Sequence, residues 1–311
     1  MWSRGYVIMI KSTLGEIKYD FENDKFVGIK LLSPLSVCWQ VTTKCNLFCK
    51  YCLSSSGPQN KIGLPTEKAV EVIKHLGELN IARLDFTGGE PLIRDDLGVL
   101  IQEAQKQSIN VLVTTNTLLL TNEKIRYLKE FQPIIQVSID GPETVHNHIR
   151  NKDVFSKTID NIKRLIDEGC KVRINSFLTK QTYKHIDYLL NLSKSLNIFS
   201  HLFIIFTPQG RGCDHLEEII PENEVEAIKH KLIKIRDKTG YYIRIYDYRE
   251  YEHSCVLLQP DGTVISQGFL QDECYEVGNL LETPLDIIFS SEHFNHTTHL
   301  LHYLQKRAYS N

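Results

Sequence analysis

The sequence predicts an α/β protein built on a parallel sheet, either open or closed into part of a barrel. Three observations predict it. From residue 37, short apolar runs alternate with longer stretches of helical period. Six such runs in strict alternation with helices imply parallel strands covered on both faces. The unusual polar motifs fall just after the apolar runs, where such folds place their chemistry.

In order, residues 1–36 form a β-rich lead-in. YVIMI, GEIKYDF and KFVGIKL read as strands, Gly15 and Asn23-Asp24 as turns, and Pro34 as the end. The six runs are VCWQV (37–41), ARLDF (82–86), NVLVT (110–114), IIQVS (134–138), VRINSF (172–177) and HLFIIF (201–206). Helices are expected over roughly 66–79, 95–107, 121–130, 154–168 and 181–196, with Thr66, Asp95, Thr121 and Ser156 as caps. Ala69, Val70, Ile73 and Leu76 recur at intervals that make one buried stripe. After residue 207 come the loop TPQGRG, a helix over 221–239, strand-like YYIRIYDY, a hairpin around Pro260-Asp261-Gly262, a turn at Gly278-Asn279 and a short helix near 284–290. The expected division is 1–36, 37–212 and 213–311.

The composition, 42% hydrophobic and 24% charged with a net charge of −2, is that of a soluble protein. It implies no broad basic field and hence no nucleic-acid partner. No apolar run approaches a membrane span, and the Tyr6–Ile10 stretch is too short for a secretion signal. A cytoplasmic protein is the expectation. Its eight cysteines then read as ligands, catalytic groups or buried thiols, not disulfides.

Cys45, Cys49 and Cys52 follow the first run as C-x3-C-x2-C. Thiolates favour zinc or an iron–sulfur cluster, and a structural zinc site usually takes four protein ligands. A three-thiol loop suits a cubane cluster with one open iron; a zinc knuckle or incidental thiols are the alternative. After the second run, Gly88 and Gly89 allow close backbone approach, and Glu90 can accept from an ammonium group. Asn116 follows the third run. Ser138, Asp140 and Arg150 follow the fourth, in SIDGPETVHNHIR. A hydroxyl and a carboxylate suit a ribose diol, and a guanidinium suits a carboxylate. His146 and His148 read as surface or cap residues, and Ile204 and Phe206 as sheet core.

These ordered motifs, over about residues 37–212, resemble the radical S-adenosylmethionine (SAM) superfamily, and SIDGP and TPQGRG resemble its peptide-modifying members, such as anaerobic sulfatase-maturing enzymes. The resemblance implies a partial (β/α)6 TIM-like barrel. It implies a [4Fe–4S] cluster on Cys45, Cys49 and Cys52, with SAM on the open iron. By position it places Tyr51, Gly88, Gly89, Glu90, Asn116, Ser138, Asp140 and Arg150 around SAM: Glu90 at the amino group, Ser138 and Asp140 near the ribose, Arg150 at the carboxylate. The chain departs from the family at Thr117, where many relatives carry Gly, and at Asn147, where an Asp is common. Reductive cleavage of SAM to a 5′-deoxyadenosyl radical is implied, with a flavodoxin- or ferredoxin-type electron donor.

The C-terminal extension resembles a degenerate SPASM or twitch module, a small α+β unit that in relatives binds auxiliary clusters. Cys255, the PDG hairpin, Cys274 and GNL are present, but Ser266 and Gln267 stand where a cysteine is expected. A second iron–sulfur cluster would need Cys213, Cys255 and Cys274, or two of them with another ligand; a cluster-free extension is the preferred reading. Cys213, Cys255 and Cys274 are also candidate hydrogen-atom donors to a substrate radical. His293, His296, His299 and His302 follow a helical spacing that suits a partner-facing helix better than a metal site. The expected substrate is a ribosomally made peptide undergoing epimerisation or cross-linking. The alternatives are a small-molecule dehydrogenase or epimerase of an aminoglycoside or nucleoside pathway, and a zinc-binding scaffold.

Overall fold

The computed structural model describes residues 7–12, 15–20, 25–31, 34, 36–250 and 256–294. The lead-in forms a three-stranded antiparallel sheet of β1 (Val7–Ser12), β2 (Gly15–Asp20) and β3 (Lys25–Leu31). The alternating region follows as β4 (Ser36–Thr42), α1 (Thr66–Glu78), β5 (Arg83–Gly88), α2 (Leu97–Lys106), β6 (Asn110–Thr115), α3 (Asn122–Phe131), β7 (Ile134–Ser138), α4 (Glu143–Arg150), α5 (Phe155–Asp167), β8 (Val172–Leu178), α6 (Ile186–Ser195) and β9 (Ser200–Ile205). Then come α7 (Glu222–Thr239), β10 (Tyr242–Tyr246), β11 (Val256–Leu258), β12 (Thr263–Ser266), β13 (Tyr275–Asn279) and α8 (Leu285–Phe289).

One ten-stranded sheet runs in the order β10-β9-β8-β7-β6-β5-β4-β11-β12-β13. Strands β4 to β10 are parallel neighbours, and the sheet ends on separate strands, so it is open. The six expected strands are β4 to β9. The C-terminal segment extends the same sheet at both edges: β10 adds a seventh parallel strand beside β9, and β11 pairs parallel with β4 at Val256↔Val37. The apolar helix faces cover the outside; on α1 the buried residues are Ala69, Val72, Ile73 and Leu76, with Val70 half-buried.

Several local expectations change. Thr121 caps α3 through Lys124 N–H (3.2 Å), but Pro65, Asp96 and Val154 occupy the other three N-cap positions. Thr66 instead donates to Asp96 (2.7 Å) and Ser156 to Glu143 (3.3 Å). Gly278-Asn279 ends β13 and opens the turn that follows, where Asn279 O accepts from Glu282 N–H (3.1 Å). Helix α4 was missed because its eight residues are too short to show a period.

Candidate functional site

A cavity of 640 Å3 opens at the C-terminal ends of the parallel strands and runs the height of the sheet to Pro34 and Ala82. Its rim holds Cys45, Cys49, Tyr51, Cys52, Gly88, Gly89, Glu90, Asn116, Ser138, Asp140 and Arg150, the full set expected around cluster and cofactor. Residues up to about a hundred positions apart in sequence meet there because each ends a parallel strand or the loop after it.

The three thiols sit on the loop after β4. Ser56 N–H donates to Cys52 Sγ (3.4 Å), Asn116 Nδ2 lies 3.9 Å from Cys45 Sγ, and Arg150 Nη1 lies 3.8 Å from Cys49 Sγ. Burial pushes the Cys45 thiol up to about 12, with Glu90 and the other two cysteines adding to it. Burial also raises Cys49, against the opposing charge of Arg150. Such thiols ionise only beside a cation. Donors aimed at sulfur are what a cluster's thiolates require. Among the described residues no three His, Cys, Asp or Glu side chains gather tightly enough for a single metal ion. Three thiols on one loop, each with a donor nitrogen beside its sulfur, fit a cubane held by three thiolates.

The loop is clamped from two sides. Gly89 N–H donates to Thr42 O (2.7 Å) and Glu90 N–H to Lys44 O (2.9 Å). A Cβ on Gly89 would lie 2.1 Å from Lys44 O, so the close approach these glycines permit is to the chain's own cluster loop. From the TPQGRG side, Arg211 N–H donates to Cys52 O (3.0 Å), Arg211 Nε to Cys49 O (2.8 Å), and the guanidinium stacks 3.8 Å over Phe48. Gly210 adopts a φ of 56°, and a Cβ there would meet Leu53 O at 2.4 Å.

Glu90 is fully buried and accepts from Leu92 N–H (3.1 Å), Thr115 Oγ1 (2.6 Å) and Asn116 N–H (2.7 Å). Burial still holds its carboxyl above the usual range, since no cation pairs with it among the described residues. A ligand ammonium would supply that cation. Asn116 Nδ2 donates to Asn46 Oδ1 (2.8 Å), and Ser138 donates to Asn175 (3.1 Å).

Asp140 and Arg150, expected to reach different ends of SAM, pair with each other at 2.5 Å. Asp140 also accepts from Phe177 N–H (3.2 Å). Its carboxylate therefore positions Arg150, whose buried Nε has no partner among the described residues. His146 is buried, not a surface or cap residue: its Nδ1 accepts from Asp140 N–H (3.3 Å). Burial, then Arg150, pulls it down to about 4, so the ring is neutral. His148 is exposed to Lys50 (2.7 Å). Asn147 accepts from Val154 and Phe155 N–H (both 2.9 Å) and starts α5, a task that needs no acid. Ile204 faces the cavity, whereas Phe206 packs edge-on against Tyr51 (5.4 Å).

Neither Cys213 nor Cys274 lines the cavity. Their thiols donate to Pro208 O (3.1 Å) and Leu270 O (3.5 Å), so the structure does not bring either of these candidate donors into the cavity lining. Cys255, His296, His299 and His302 lie outside the described residues. Ser266 donates to His293 O, and Gln267 donates to Gln209 Oε1 (2.6 Å), so buried hydrogen bonds fill the place of the expected cysteine. His293 stacks on Tyr275 at 4.2 Å.

The residue signals that sequence reasoning missed lie deeper. Cys38, Gln40, Arg83, Asp85, Gln136, Arg173 and Arg244 all line the cavity. The signal was present: in VCWQV, RLDF, IIQV and VRIN, polar residues alternate with apolar ones, the mark of a strand with one apolar and one polar face.

Residues 39–192 match the family model described as the radical SAM superfamily. The chain belongs to this superfamily. Its members use a [4Fe–4S] cluster and SAM. This radical SAM chain is 27% identical over 195 residues to mycofactocin maturase MftC of Mycolicibacterium smegmatis, a match covering 62% of this chain and 50% of that protein. The chain thus spans half the length of that relative. It is 25% identical over 295 residues to AdoMet-dependent heme synthase of Nitratidesulfovibrio vulgaris, covering 83% of this chain and 79% of the relative. SuiB of Streptococcus suis, solved with S-adenosylmethionine, superposes with a TM-score of 0.69 at 14% identity over 85% of this chain and 67% of that one, a likeness of fold. No helix among the described residues is long and apolar enough to cross a membrane.

Proposed function

We propose that this protein is an enzyme that cleaves SAM reductively and modifies a ribosomally made peptide, by epimerisation or cross-linking. The observation that carries the first part is the convergence of Cys45, Cys49, Cys52, Glu90, Ser138 and Arg150 on one cavity rim. Cys45, Cys49 and Cys52 would hold the cluster and leave one iron for SAM. When bound, the two cofactors supply one-electron cleavage of the sulfonium C–S bond and a 5′-deoxyadenosyl radical that takes hydrogen from substrate. Everything else is binding and orientation by the chain. Glu90 takes the amino group, Arg150 the carboxylate, and Ser138 with Asn175 the ribose. Asp140 holds Arg150 in place.

The peptide reading is supported by SIDGP and TPQGRG, which resemble peptide-modifying members, and by relatedness to mycofactocin maturase MftC. A small-molecule substrate is the second reading. The match to the heme synthase runs longer than that to MftC and favours it. A flavodoxin- or ferredoxin-type donor would meet the cluster loop, where Phe48 is exposed beside Lys50 and Arg211. We assign a single cluster.

Anaerobic reconstitution tests the frame: about four irons and release of 5′-deoxyadenosine support it, about eight irons would add a second cluster, and colourless protein with one zinc refutes it. Incubation with candidate substrate in heavy water separates the reactions. One deuterium gained with no other change indicates epimerisation, and loss of two hydrogens indicates cross-linking or dehydrogenation.

A further inference from the structure

Below the rim the cavity is charged. In a (β/α) barrel this layer is ordinarily packed with Val, Ile and Leu. Here Gln136 lies two residues before Ser138 on β7, and Arg173 lies two before Asn175 on β8, about 6.6 Å deeper along each strand. Gln136 and Arg173 are register partners, so they sit side by side at one depth. Arg244 enters from β10, paired with Leu202 of β9, and Arg83 and Asp85 enter from β5.

Three guanidiniums and one carboxylate face this space, beside the Cys38 thiol. The carboxylate is already engaged, since Asp85 and Arg83 form an ion pair at 2.7 Å. Arg173 is 6% exposed. Its Nε donates to Gln136 Oε1 (2.6 Å), which fixes the guanidinium, and no carboxylate lies in ion-pair range of it or of Arg244 among the described residues. Burial, then repulsion from Arg244 and Arg83, pulls Arg173 down to about 10 against the pull of Asp85. Buried guanidinium is costly without a counter-ion, and folds retain it where something supplies one. A guanidinium also presents the planar fork that matches a carboxylate.

We propose that Arg173 and Arg244 form an anion subsite on the floor of the cavity that takes a carboxylate of the substrate, with Gln136 as a positioning residue. This rests on the reading that the cavity binds SAM at its rim and substrate beneath. The carboxylate then anchors the substrate at the closed side of the rim. A peptide terminus, an acidic side chain and a small organic acid share that chemistry.

The test uses reconstituted holoenzyme with SAM and isothermal titration of matched probes. N-acetyl-dialanine against its amide reads a terminal carboxylate, N-acetylglutamate amide against N-acetylglutamine amide reads a side-chain one, and glutarate reads a free acid. At least one carboxylate should bind about tenfold or more tighter than its neutral partner, or, for glutarate, than its dimethyl ester. That preference should vanish in Arg173→Gln and Arg244→Gln, survive in part in Arg173→Lys and be untouched in Arg126→Gln, an exposed residue on α3. Equal binding of acid and neutral partner, no binding of any probe to wild type, or a preference that outlives both Gln variants overturns the proposal. Arg244→Gln, at a half-buried position, decides the matter if Arg173→Gln fails to fold. Substrate-free release of 5′-deoxyadenosine is measured in parallel. Its absence from wild type would sink the functional reading, whereas its presence without a carboxylate preference sinks the subsite alone.

Discussion

Replacing Gly89 by alanine should lift the cluster loop off the end of β5. The new Cβ would stand 2.1 Å from Lys44 O and 2.6 Å from its carbonyl carbon. A carbon sits no closer than about 3.3 Å to a carbonyl oxygen, so one segment must retreat by roughly 1.2 Å. Both segments are backbone, and no side chain can swing aside. The retreat breaks Gly89 N–H to Thr42 O and Glu90 N–H to Lys44 O, each worth about 1 kcal/mol, and residual strain brings the loss to about 3 kcal/mol. For a chain of this size that is on the order of 6 °C in melting temperature. The same retreat parts Cys45 from Asn116 and shifts Glu90 from the rim. Iron retained after reconstitution and SAM affinity should therefore fall together, the affinity by about tenfold or more. The assay is iron content and SAM titration beside a thermal melt, with Gly98→Ala on α2 as the control. There the nearest atom, on the Tyr127 ring, is 3.3 Å away, and the helix gains from alanine. If Gly89→Ala holds about four irons, binds SAM as wild type does and melts unchanged, the clamp reasoning is wrong.

Four further outcomes are expected. Arg150→Gln should weaken SAM binding by about tenfold to a hundredfold, because it removes the charge-assisted contact and leaves Asp140 buried without its cation; Arg150→Lys should recover only part, measured by titration with SAM. Thr117→Gly should stabilise the protein by about 1 kcal/mol in urea unfolding, since Thr117 holds a φ of 64° with a buried hydroxyl that has no partner among the described residues. Acid should destabilise the protein below pH 6.5. Burial keeps His146 (to about 4) and His201 (to about 3) neutral when folded, so their contribution is present above about pH 6.5 and is lost as pH falls, by up to about 1.4 kcal/mol per unit each. Glu90, held high by burial, takes its proton earlier in the folded chain and opposes this, so Glu90→Gln should show the steeper loss; urea midpoints at pH 7, 6 and 5 that stay level would contradict both statements. Cys213→Ala and Cys274→Ala should leave substrate-free SAM cleavage intact, since neither thiol lines the cavity.

Much of the site was legible because its parts are local. Cys45, Cys49 and Cys52 lie on one loop, and Glu90, Asn116, Ser138 and Arg150 each follow a strand whose apolar run is plain. Helix α4 and the caps were harder, because capping by Asn147 works across a loop that no periodicity marks. His146 read as surface because nothing in HNH says which histidine turns inward. The α4–α5 packing decides it, burying His146 against Phe155 at 5.7 Å and leaving His148 outside.

The chain alone determined the soft-metal motif of the cluster loop: thiol spacing, strand alternation and the order of motifs are one-dimensional facts. Only the tertiary structure decided which groups answer one another. It paired Asp140 with Arg150, left Cys213 and Cys274 out of the cavity lining, and brought β10 and β11 to opposite sides of the strands β4 to β9. It also gathered Arg83, Arg173 and Arg244 from three strands into one low space. The physical reason is that charge acts through distance in space, and strands far apart in sequence are made neighbours by the sheet.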